Sequence, residues 1–380
     1  MHRSASALII NENVPLAGFT TIGVGGAARY LARASREEHV VEAIGFARAR
    51  GCPFFILGGG SNILVSDDGY QGLVLKIEIP GIEHEESGNR DRVSAGAGVE
   101  WDAFVRYCVM HQLAGIEGLS GIPGTAGGIP IQNAGAYGQE AGGAITGVRV
   151  WHRASGGIVD LDNSDCRFAY RSSVFTMSPP SEYVVLRVQF DLRADGVSTI
   201  YYPDIERLLA GAGFPYSVGS VREAVLKIRR SKGMIVRDGD PDSRSAGSFF
   251  KNPLFDPDSF AQLEASVRSQ GLLEASEAMP RFIMPEGSVK VPAAWLIEKA
   301  GFPRGYSLGR VGISGKHALA IINRGGATAE NVIDLSRRIR NRVMELFEVG
   351  LEPEPVFVGF QEDPLGSHGK FVLNPNVLGA

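Results

Sequence analysis

Two glycine-rich stretches carry the clearest signs of chemistry in this sequence. The first is Gly58-Gly59-Gly60-Ser61-Asn62, which lies between two apolar stretches that predict strands. A loop with three glycines between two strands can present consecutive backbone N–H groups to phosphate oxygens in a concave turn. A tight turn without any ligand explains this stretch equally well.

The second stretch covers residues 118–128 and is followed by Gln132-Asn133-Ala134-Gly135-Ala136-Tyr137-Gly138. Its glycines and alanines remove side-chain bulk along one surface, so that exposed N–H groups can cradle a pyrophosphate. A flexible loop is the alternative, but the Ile and Pro among the glycines favour a defined shape and a bound ligand. The candidate cofactor-binding residues in the two stretches are Gly58, Gly59, Gly60, Ser61, Asn62, Gly121, Ile122, Pro123, Gly124, Thr125, Ala126 and Gly127.

Two other nucleotide-binding motifs fail in their context. Residues Gly23–Ala28 satisfy G-x-G-x-x-A, but no buried strand precedes them and a strand-like stretch follows where a Rossmann helix should begin. Gly315-Lys316 is followed by His317 instead of Ser or Thr, which excludes a P-loop. Neither motif therefore competes with the two glycine-rich stretches.

The elements around these loops mix helix and strand periodicity. Alternating residues predict a strand over 29–34, and Ser35 with Glu38 predicts a capping box that starts a helix. The apolar stripe of that helix is Val40, Val41, Ile44 and Ala47. Further predictions are strands at 53–57, 63–65 and 318–323, and helices near 101–112, 258–270, 291–300 and 328–347.

Composition excludes several classes of function. With 380 residues, 44% hydrophobic and 21% charged, the chain is expected to form two or three globular domains. A net charge of -4 with scattered basic residues gives no reason to expect a nucleic-acid partner. The 3 cysteines are far apart, which argues against disulfide, zinc and iron–sulfur sites, so no metal is expected. Without a signal peptide or a membrane-spanning run, we expect a cytoplasmic protein with no membrane contact.

The ordered set of motifs carries a family resemblance. GGGSN at 58–62 followed by GIPGTAGG at 121–128 resembles the FAD-binding domain of the vanillyl-alcohol-oxidase and p-cresol-methylhydroxylase type. From about residue 14 to 360 the chain resembles UDP-N-acetylenolpyruvoylglucosamine reductases, and segment 194–218 resembles the extra loop of their type I branch. The further motifs that match in order and spacing are 19–26, 168–173, 246–253, 293–298 and 351–355.

The resemblance implies an α+β fold, in which a two-subdomain FAD-binding module is joined to a C-terminal α+β substrate-binding domain. Residues 1–72 would form the first FAD-binding subdomain, completed by about 330–360. Residues 73–236 would form the second subdomain, including the substrate-capping loop 194–218. The substrate-binding domain would cover residues 237–329, and the tail 361–380 is expected to be loosely ordered.

The implied reaction is the NADPH-dependent reduction of UDP-N-acetylglucosamine enolpyruvate to UDP-N-acetylmuramate, a step of peptidoglycan precursor synthesis. NADPH would be the hydride donor and FAD the cofactor. None of the 7 histidines lies in either glycine loop, so non-covalent FAD is expected. The expected partner is a small nucleotide-sugar substrate, and a monomer is expected.

Three residues match the family's catalytic groups. Ser248 resembles the proton donor, Arg171 the arginine that engages the substrate carboxylate, and Glu354 the catalytic glutamate. Taken without the family, Ser248 fits a turn or cap, and Arg171 fits a surface ion pair. Glu352 remains the alternative to Glu354, because residues two apart in an extended segment point to the same face.

Four residues match the family's substrate-binding positions: Tyr202, Lys232, Asn252 and Lys299. Tyr201 is the alternative to Tyr202, and Lys232 also fits a solvated basic stretch. Lys299 stands where relatives can carry glutamine, and an ammonium only donates hydrogen bonds whereas an amide also accepts them.

Two other functions remain open on the sequence. A flavin oxidase of the same superfamily would consume oxygen without NADPH. A flavin- or nucleotide-sugar-binding sensor would show no NADPH-dependent bleaching of its flavin. In the oxidase, Ser248, Arg171 and Glu354 would have no joint purpose.

Overall fold

The computed structural model describes residues 7–237, 239–274, 276–284, 286–366 and 371–372. The strands are β1 Ile10–Pro15, β2 Ala27–Ala34, β3 Phe54–Leu57, β4 Ile63–Val65, β5 Tyr70–Ile77, β6 Ile82–Glu85, β7 Arg90–Gly96, β8 Gly135–Ala136, β9 Gln139–Glu140, β10 Ile145–His152, β11 Gly157–Asp162, β12 Tyr183–Arg193, β13 Val197–Ser198, β14 Tyr216–Ser217, β15 Leu254–Phe255, β16 Phe282–Ile283, β17 Val289–Lys290, β18 Ser307–Leu308, β19 Val311–Ile313, β20 Ile321–Asn323, β21 Val356–Val358 and β22 Phe371–Val372. The α-helices are α1 Glu37–Ala49, α2 Trp101–Met110, α3 Asn163–Cys166, α4 Val174–Met177, α5 Pro203–Leu208, α6 Val218–Ser231, α7 Pro257–Ser269, α8 Ala293–Lys299 and α9 Ala329–Phe347.

The described chain divides into two compact units. The first consists of the described parts of Met1–Val14, Ala28–Gly60 and Gln71–Ile235. The second consists of Pro15–Ala27, Ser61–Tyr70 and the described parts of Val236–Ala380. The expected division of the flavin-binding part at residue 72 stays a prediction, because residues on both sides of it fall largely in the first unit.

The first unit is built on two sheets. One has the strand order β1-β2-β5-β3, with β3 parallel to β5, and the other is an antiparallel sheet of order β11-β10-β12-β7-β6. Helix α2 packs its apolar face into the core, where Trp101, Phe104, Val105 and Cys108 are each 0% exposed. Phe190 of β12 meets Trp101 and Phe104, with ring centroids 5.8 and 5.0 Å away. The predicted helix and its buried face are therefore confirmed.

Helix α1 begins differently from the sequence prediction. Its N-cap is Arg36, which makes no side-chain capping hydrogen bond, so the capping box predicted at Ser35 is wrong. The Ser35 hydroxyl instead lies 3.4 Å from Nδ1 of His39. His39 occupies the buried face, whereas Val41 is 48% exposed, because the true stripe follows residues 39, 40, 43, 44 and 47.

The segment predicted to cap the substrate has a small core of its own. Ile205 of α5 and Val221 and Val225 of α6 are fully buried beside Tyr216 and Tyr137. This cluster belongs to the first unit, so the position of α5 is tied to that of α6 by packing.

The second unit packs its helices around a separate core. Helix α9 buries Val332, Leu335, Ile339 and Val343 at helical spacing, and Thr328 and Asn331 form a capping box at its start. Three-stranded sheets of order β15-β17-β16 and β18-β19-β20 belong to this unit. A third, parallel sheet of order β22-β21-β4 joins the stretch after the first glycine loop to the C-terminal part of the chain.

The rejected Rossmann motif at 23–28 and the tail after residue 361 both lie next to strands of these sheets. Strand β2 begins at Ala27, within the last two residues of the G-x-G-x-x-A match, where a Rossmann helix would begin, so the rejection of the Rossmann motif is confirmed. In the tail, Phe371–Val372 pairs with β21, contrary to the expectation of loose order there. Tail residues 367–370 and 373–380 lie outside the described residues. Among the described residues, the helices all fall short of the length and apolarity that spanning a bilayer would require.

Candidate active site

The two glycine loops touch each other in the first unit. A Cβ added at Gly59 would lie 2.4 Å from the Cα of Gly124, and one added at Gly58 would lie 3.2 Å from Oγ1 of Thr125. Only glycine permits this approach of the two backbones at residue 59. Lys76 on β5 donates a hydrogen bond to the Gly58 carbonyl and holds the first loop from behind.

Thr125 provides a test of whether these loops suit a cofactor. Its Oγ1 is buried and, among the described residues, has no hydrogen-bond partner. A buried hydroxyl without a partner costs about 1–3 kcal/mol, so a ligand that bonds to it is favoured. The loops are therefore suited to the polar pyrophosphate of FAD, and the Thr125 hydroxyl is the group best suited to form a hydrogen bond with it.

Not all predicted cofactor residues offer free donors. The N–H groups of Ala126 and Gly127 donate to the Val99 and Ala97 carbonyls at 2.8 and 3.0 Å. The N–H of Gly121 donates to Asp102. These three residues thus fix the second loop against the protein, and their backbone donors are not offered to a phosphate.

Ser61 and Asn62 belong to the second unit. The Asn62 side chain donates to the Glu354 carbonyl at 3.3 Å, and the Asn62 carbonyl accepts from the N–H of Val356 at 3.0 Å. Asn62 therefore fixes the segment that carries the predicted catalytic glutamate.

Arg171 lies at the tip of a tight turn in the first unit. Ala169 and Ser172 exchange backbone hydrogen bonds of 3.0 and 3.1 Å, and Arg171 has a φ of 52°. A positive φ in a long side chain costs about 1–3 kcal/mol and often marks a functional position. Its guanidinium donates to the Gly135 carbonyl at 3.3 Å, which places it beside the residues that follow the second glycine loop.

Tyr202 and Lys232 come together in the same unit. Tyr202 precedes α5 and packs its ring edge-on against Tyr137, with the centroids 5.4 Å apart. Lys232 is the C-cap residue that follows α6, and its Nζ lies 3.4 Å from Oδ2 of Asp204 in the first turn of α5. Tyr201 is 74% exposed, so of the two candidate tyrosines only Tyr202 packs with this group.

Ser248 is positioned by its neighbour in the second unit. Phe249 is 0% exposed, its N–H donates to Leu319 at 2.8 Å, and its carbonyl accepts from the N–H of Glu354 at 2.9 Å. A fully buried aromatic ring with both backbone groups bonded leaves little freedom at the preceding residue. The half-buried Ser248 and Glu354 are therefore held near one another by the backbone.

Glu352 and Glu354 have different surroundings. Glu352 is exposed and pairs with Nζ of Lys251 at 2.9 Å, an ion pair of the kind that contributes little. Glu354 is half-buried, and its backbone bonds to both Phe249 and Asn62. The two carboxylates are therefore not equivalent, and Glu354 is the one whose backbone pairs with Phe249, the residue after Ser248.

His317 is a polar neighbour of Ser248 that the sequence did not reveal. Its Nε2 lies 3.4 Å from the Ser248 Oγ, while Nδ1 lies 3.5 Å from the N–H of Leu319. In the tautomer whose Nδ1 accepts from this N–H, the proton is on Nε2, and Nε2 can donate to the Ser248 Oγ. The only signal in the sequence was its place after Gly315-Lys316, where it served to exclude a P-loop.

Asn252 and Lys299 lie at opposite ends of α8. Oδ1 of Asn252 accepts from the N–H of Ala293 at 2.9 Å and so serves the first turn of the helix. Lys299 is the last residue, and its Nζ lies 5.6 Å from the centroid of the Trp295 ring. A helix of this length spans about 10 Å, so these two predicted substrate ligands are not brought together.

The predicted catalytic and substrate residues are thus distributed over both units. Arg171, Tyr202 and Lys232 belong to the first, and Ser248, Asn252, Lys299 and Glu354 to the second.

Comparison with known proteins accounts for both units. Residues 28–162 match a family described as FAD binding domain. Residues 240–358 match the family described as UDP-N-acetylenolpyruvoylglucosamine reductase, C-terminal domain.

Relatives match over almost the whole chain. The UDP-N-acetylenolpyruvoylglucosamine reductase of Thermobifida fusca is 44% identical over 352 residues, which cover 92% of this chain and 98% of that protein. The chain belongs to the UDP-N-acetylenolpyruvoylglucosamine reductase family. The reductase of Streptomyces coelicolor is 43% identical over 92% of this chain and 90% of its own length.

A solved structure gives the same assignment. The crystal structure of UDP-N-acetylenolpyruvylglucosamine reductase from Thermus caldophilus superimposes with a TM-score of 0.61 and 26% identity, covering 92% of this chain and 99% of that one. The predicted family, the α+β class and FAD as the cofactor are therefore confirmed. The roles of individual site residues stay predictions.

Proposed function

We propose that this chain reduces UDP-N-acetylglucosamine enolpyruvate to UDP-N-acetylmuramate with NADPH as the hydride donor, in peptidoglycan precursor synthesis. Family membership over 92% of the chain carries this proposal. FAD supplies the chemistry of accepting hydride from NADPH and passing it to the substrate double bond. What remains for the protein is to hold the enolpyruvyl carboxylate, stabilise negative charge and deliver a proton.

Ser248 is the proposed proton donor to C2 of the substrate. A serine hydroxyl is a weak acid, so its placement must favour transfer to a carbanion-like centre. In the tautomer with the proton on Nε2, His317 would donate to a lone pair of the Ser248 Oγ, which would leave the hydroxyl hydrogen free to point toward the substrate. Donation from the ring also makes the hydroxyl a stronger acid.

Arg171 and Glu354 are proposed to act on the enolpyruvyl group. A guanidinium can engage a carboxylate through two parallel hydrogen bonds and favours the enolate-like charge of the transition state over the ground state. Arg171 has a strained backbone and Glu354 has a backbone fixed by hydrogen bonds, as is typical of residues that must hold a side chain in one position for catalysis. Tyr202 is proposed to close over the substrate and Lys232 to meet a phosphate, while Asn252 and Lys299 are the further residues proposed to bind the substrate.

Two accompanying predictions depend on the proposed role. A cytoplasmic location fits an enzyme that uses NADPH and a nucleotide sugar, and a monomer is expected because each chain carries all the residues proposed for the site.

Ser248→Ala tests the proposal by separating the two halves of the reaction. Under anaerobic conditions, NADPH should bleach the flavin of the variant at nearly the wild-type rate. Reoxidation by the enolpyruvyl substrate should slow by about 10²–10⁴-fold, the usual contribution of a general acid. Stopped-flow absorbance of the flavin band measures both steps.

Ser245→Ala is the matched control, since the Ser245 hydroxyl lies in the same segment and accepts a hydrogen bond from the N–H of Gly247. It should leave both steps close to wild type. Equal slowing of both steps in Ser248→Ala would show that this hydroxyl is structural.

A further inference from the structure

Asn133 follows the second glycine loop and buries a side-chain amide with several hydrogen bonds. The residue is 2% exposed. Its Oδ1 accepts from the N–H of Gly142 at 2.8 Å, and its Nδ2 donates to Oε2 of Glu140 at 2.9 Å and to the Ala169 carbonyl at 3.1 Å. Only the oxygen of an amide can accept from an N–H, so these contacts fix which way the amide points. Both hydrogens of Nδ2 are therefore used.

The Ala169 carbonyl that Asn133 binds also closes the turn that carries Arg171. It accepts from the N–H of Ser172 at 3.1 Å, and Arg171 is the third residue of turn 169–172, with a φ of 52°. A positive φ at the third position of such a turn is usually supplied by Gly or Asn. An arginine keeps this strained conformation only where its surroundings hold it there.

Two further hydrogen bonds join the same two segments of the first unit. The hydroxyl of Ser173, which directly follows the turn and is 0% exposed, donates to the Ile131 carbonyl at 2.6 Å. Nη2 of Arg171 donates to the Gly135 carbonyl at 3.3 Å. Together with the bond from Asn133 to the carbonyl that begins the turn, segment 131–135 therefore contacts turn 169–172 at its start, at Arg171 and directly after it.

Gly142 makes room for this arrangement. A Cβ added there would lie 2.7 Å from Cγ of Phe168 and 2.9 Å from Oδ1 of Asn133. Both separations are far shorter than an ordinary van der Waals contact, so only glycine lets these two side chains pack at this point. The amide of Asn133 and the residue before the turn are thus packed against the same stretch of backbone.

We propose that Asn133 is a positioning residue that holds turn 169–172 in the conformation in which Arg171 engages the substrate carboxylate. The amide acts through the turn, because its bond to the Ala169 carbonyl keeps the backbone of Arg171 in place and so directs the guanidinium. Two parallel hydrogen bonds to a carboxylate require a specific orientation of the guanidinium, and a small rotation of the turn would lose one of them. The inference deepens the proposed function and rests on the role proposed there for Arg171.

Asn133→Gly tests the inference, because glycine tolerates the φ of 44° at this position and removes only the amide. In anaerobic stopped-flow experiments, NADPH should still bleach the flavin at nearly the wild-type rate. Reoxidation by UDP-N-acetylglucosamine enolpyruvate should slow by about 10²-fold, the usual effect of misplacing a substrate-orienting group by about 1 Å. Reoxidation at the wild-type rate would overturn the inference.

Combination with Arg171→Ala separates positioning of the guanidinium from a general structural role. If the amide acts only through Arg171, adding Asn133→Gly to Arg171→Ala should change the rate of reoxidation by no more than about 2-fold. A double variant that shows the full product of the two single effects would refute the inference. Wild-type reoxidation in Arg171→Ala alone would contradict the role proposed for Arg171, and the inference with it.

Asn163→Gly is the matched control. Its Nδ2 donates to the carbonyls of Gly142 and Ile145 at 2.8 and 2.7 Å, so the same substitution removes amide bonds to the neighbouring backbone outside turn 169–172. It should keep wild-type rates in both half-reactions, even where thermal unfolding shows a loss of stability. Slowing equal to that of Asn133→Gly would show that general loosening explains both variants and would count against the inference.

Ser173→Ala provides a second variant if Asn133→Gly does not fold or take up FAD. It removes the hydroxyl that donates to the Ile131 carbonyl and so loosens the other end of the turn. The same pattern is expected: bleaching by NADPH is retained, reoxidation is slowed, and the slowing disappears in the Arg171→Ala background. Wild-type reoxidation in Ser173→Ala would then contradict the inference.

Discussion

Gly59→Ala should weaken FAD binding because it separates the two glycine loops. The added methyl group would stand 2.4 Å from the Cα of Gly124 and 3.0 Å from its carbonyl carbon. Both are backbone atoms that no rotamer change can move, so one loop must shift by roughly 1 Å to reach ordinary contact. Overpacking of this kind costs about 1–3 kcal/mol, which corresponds to about 5- to 150-fold in the dissociation constant of FAD if the cofactor site bears it.

Gly45→Ala is the control for this prediction. Gly45 lies within α1, outside both glycine loops, where an added Cβ would meet nothing within 4 Å, and its φ is not positive. It should keep wild-type affinity and gain at most about 1 kcal/mol of stability from the less flexible unfolded chain. Flavin fluorescence during titration and during dilution measures affinity, and thermal unfolding measures stability. FAD affinity in Gly59→Ala equal to that of Gly45→Ala would refute the assignment of these loops as the cofactor cradle.

Two further predictions concern carboxylates. Glu354→Gln should slow flavin reoxidation by substrate in stopped-flow experiments, whereas Glu352→Gln should leave the rate unchanged and cost less than about 1 kcal/mol in stability; equal losses would contradict the choice of Glu354. Burial opposes ionisation of Asp102, but hydrogen bonds from Arg222 and the Gly121 N–H outweigh it and hold the pKa of this carboxyl below its ordinary 3.8. Its stabilising contribution is therefore complete above pH 3.8 and is lost as the pH falls through the lower, folded-state pKa. In urea unfolding, Asp102→Asn should be less stable than wild type near neutral pH and should approach it in acid; a difference independent of pH would contradict the pairing.

Sequence patterns anticipated the elements that local periodicity specifies. Helix α9 has a 3.6-residue apolar stripe and a Thr328 cap, so its bounds are recovered within a residue. Helix α1 was placed correctly, but its start was not, because Ser35 met His39 instead of a backbone N–H. The position of a helix cap depends on side-chain contacts in the folded chain, which cannot be read from the sequence alone.

The candidate site shows the same division. The glycine loops can be recognised from their high glycine content. The contact between Gly59 and Gly124 joins residues far apart in the sequence, so the sequence does not predict it. The position of His317 beside Ser248 depends on the pairing of two distant segments through Phe249 and Leu319. Motif spacing was therefore enough to identify the residues that carry the family resemblance. The residues that position them, such as His317, could be identified only from the structure.

A visible spectrum of the purified protein tests the central claim most directly. With oxygen excluded, we expect a flavin absorption band that NADPH bleaches and that UDP-N-acetylglucosamine enolpyruvate restores in proportion to the substrate added. A colourless protein that takes up no FAD, or a bleached flavin that stays bleached after the substrate is added, would contradict the account.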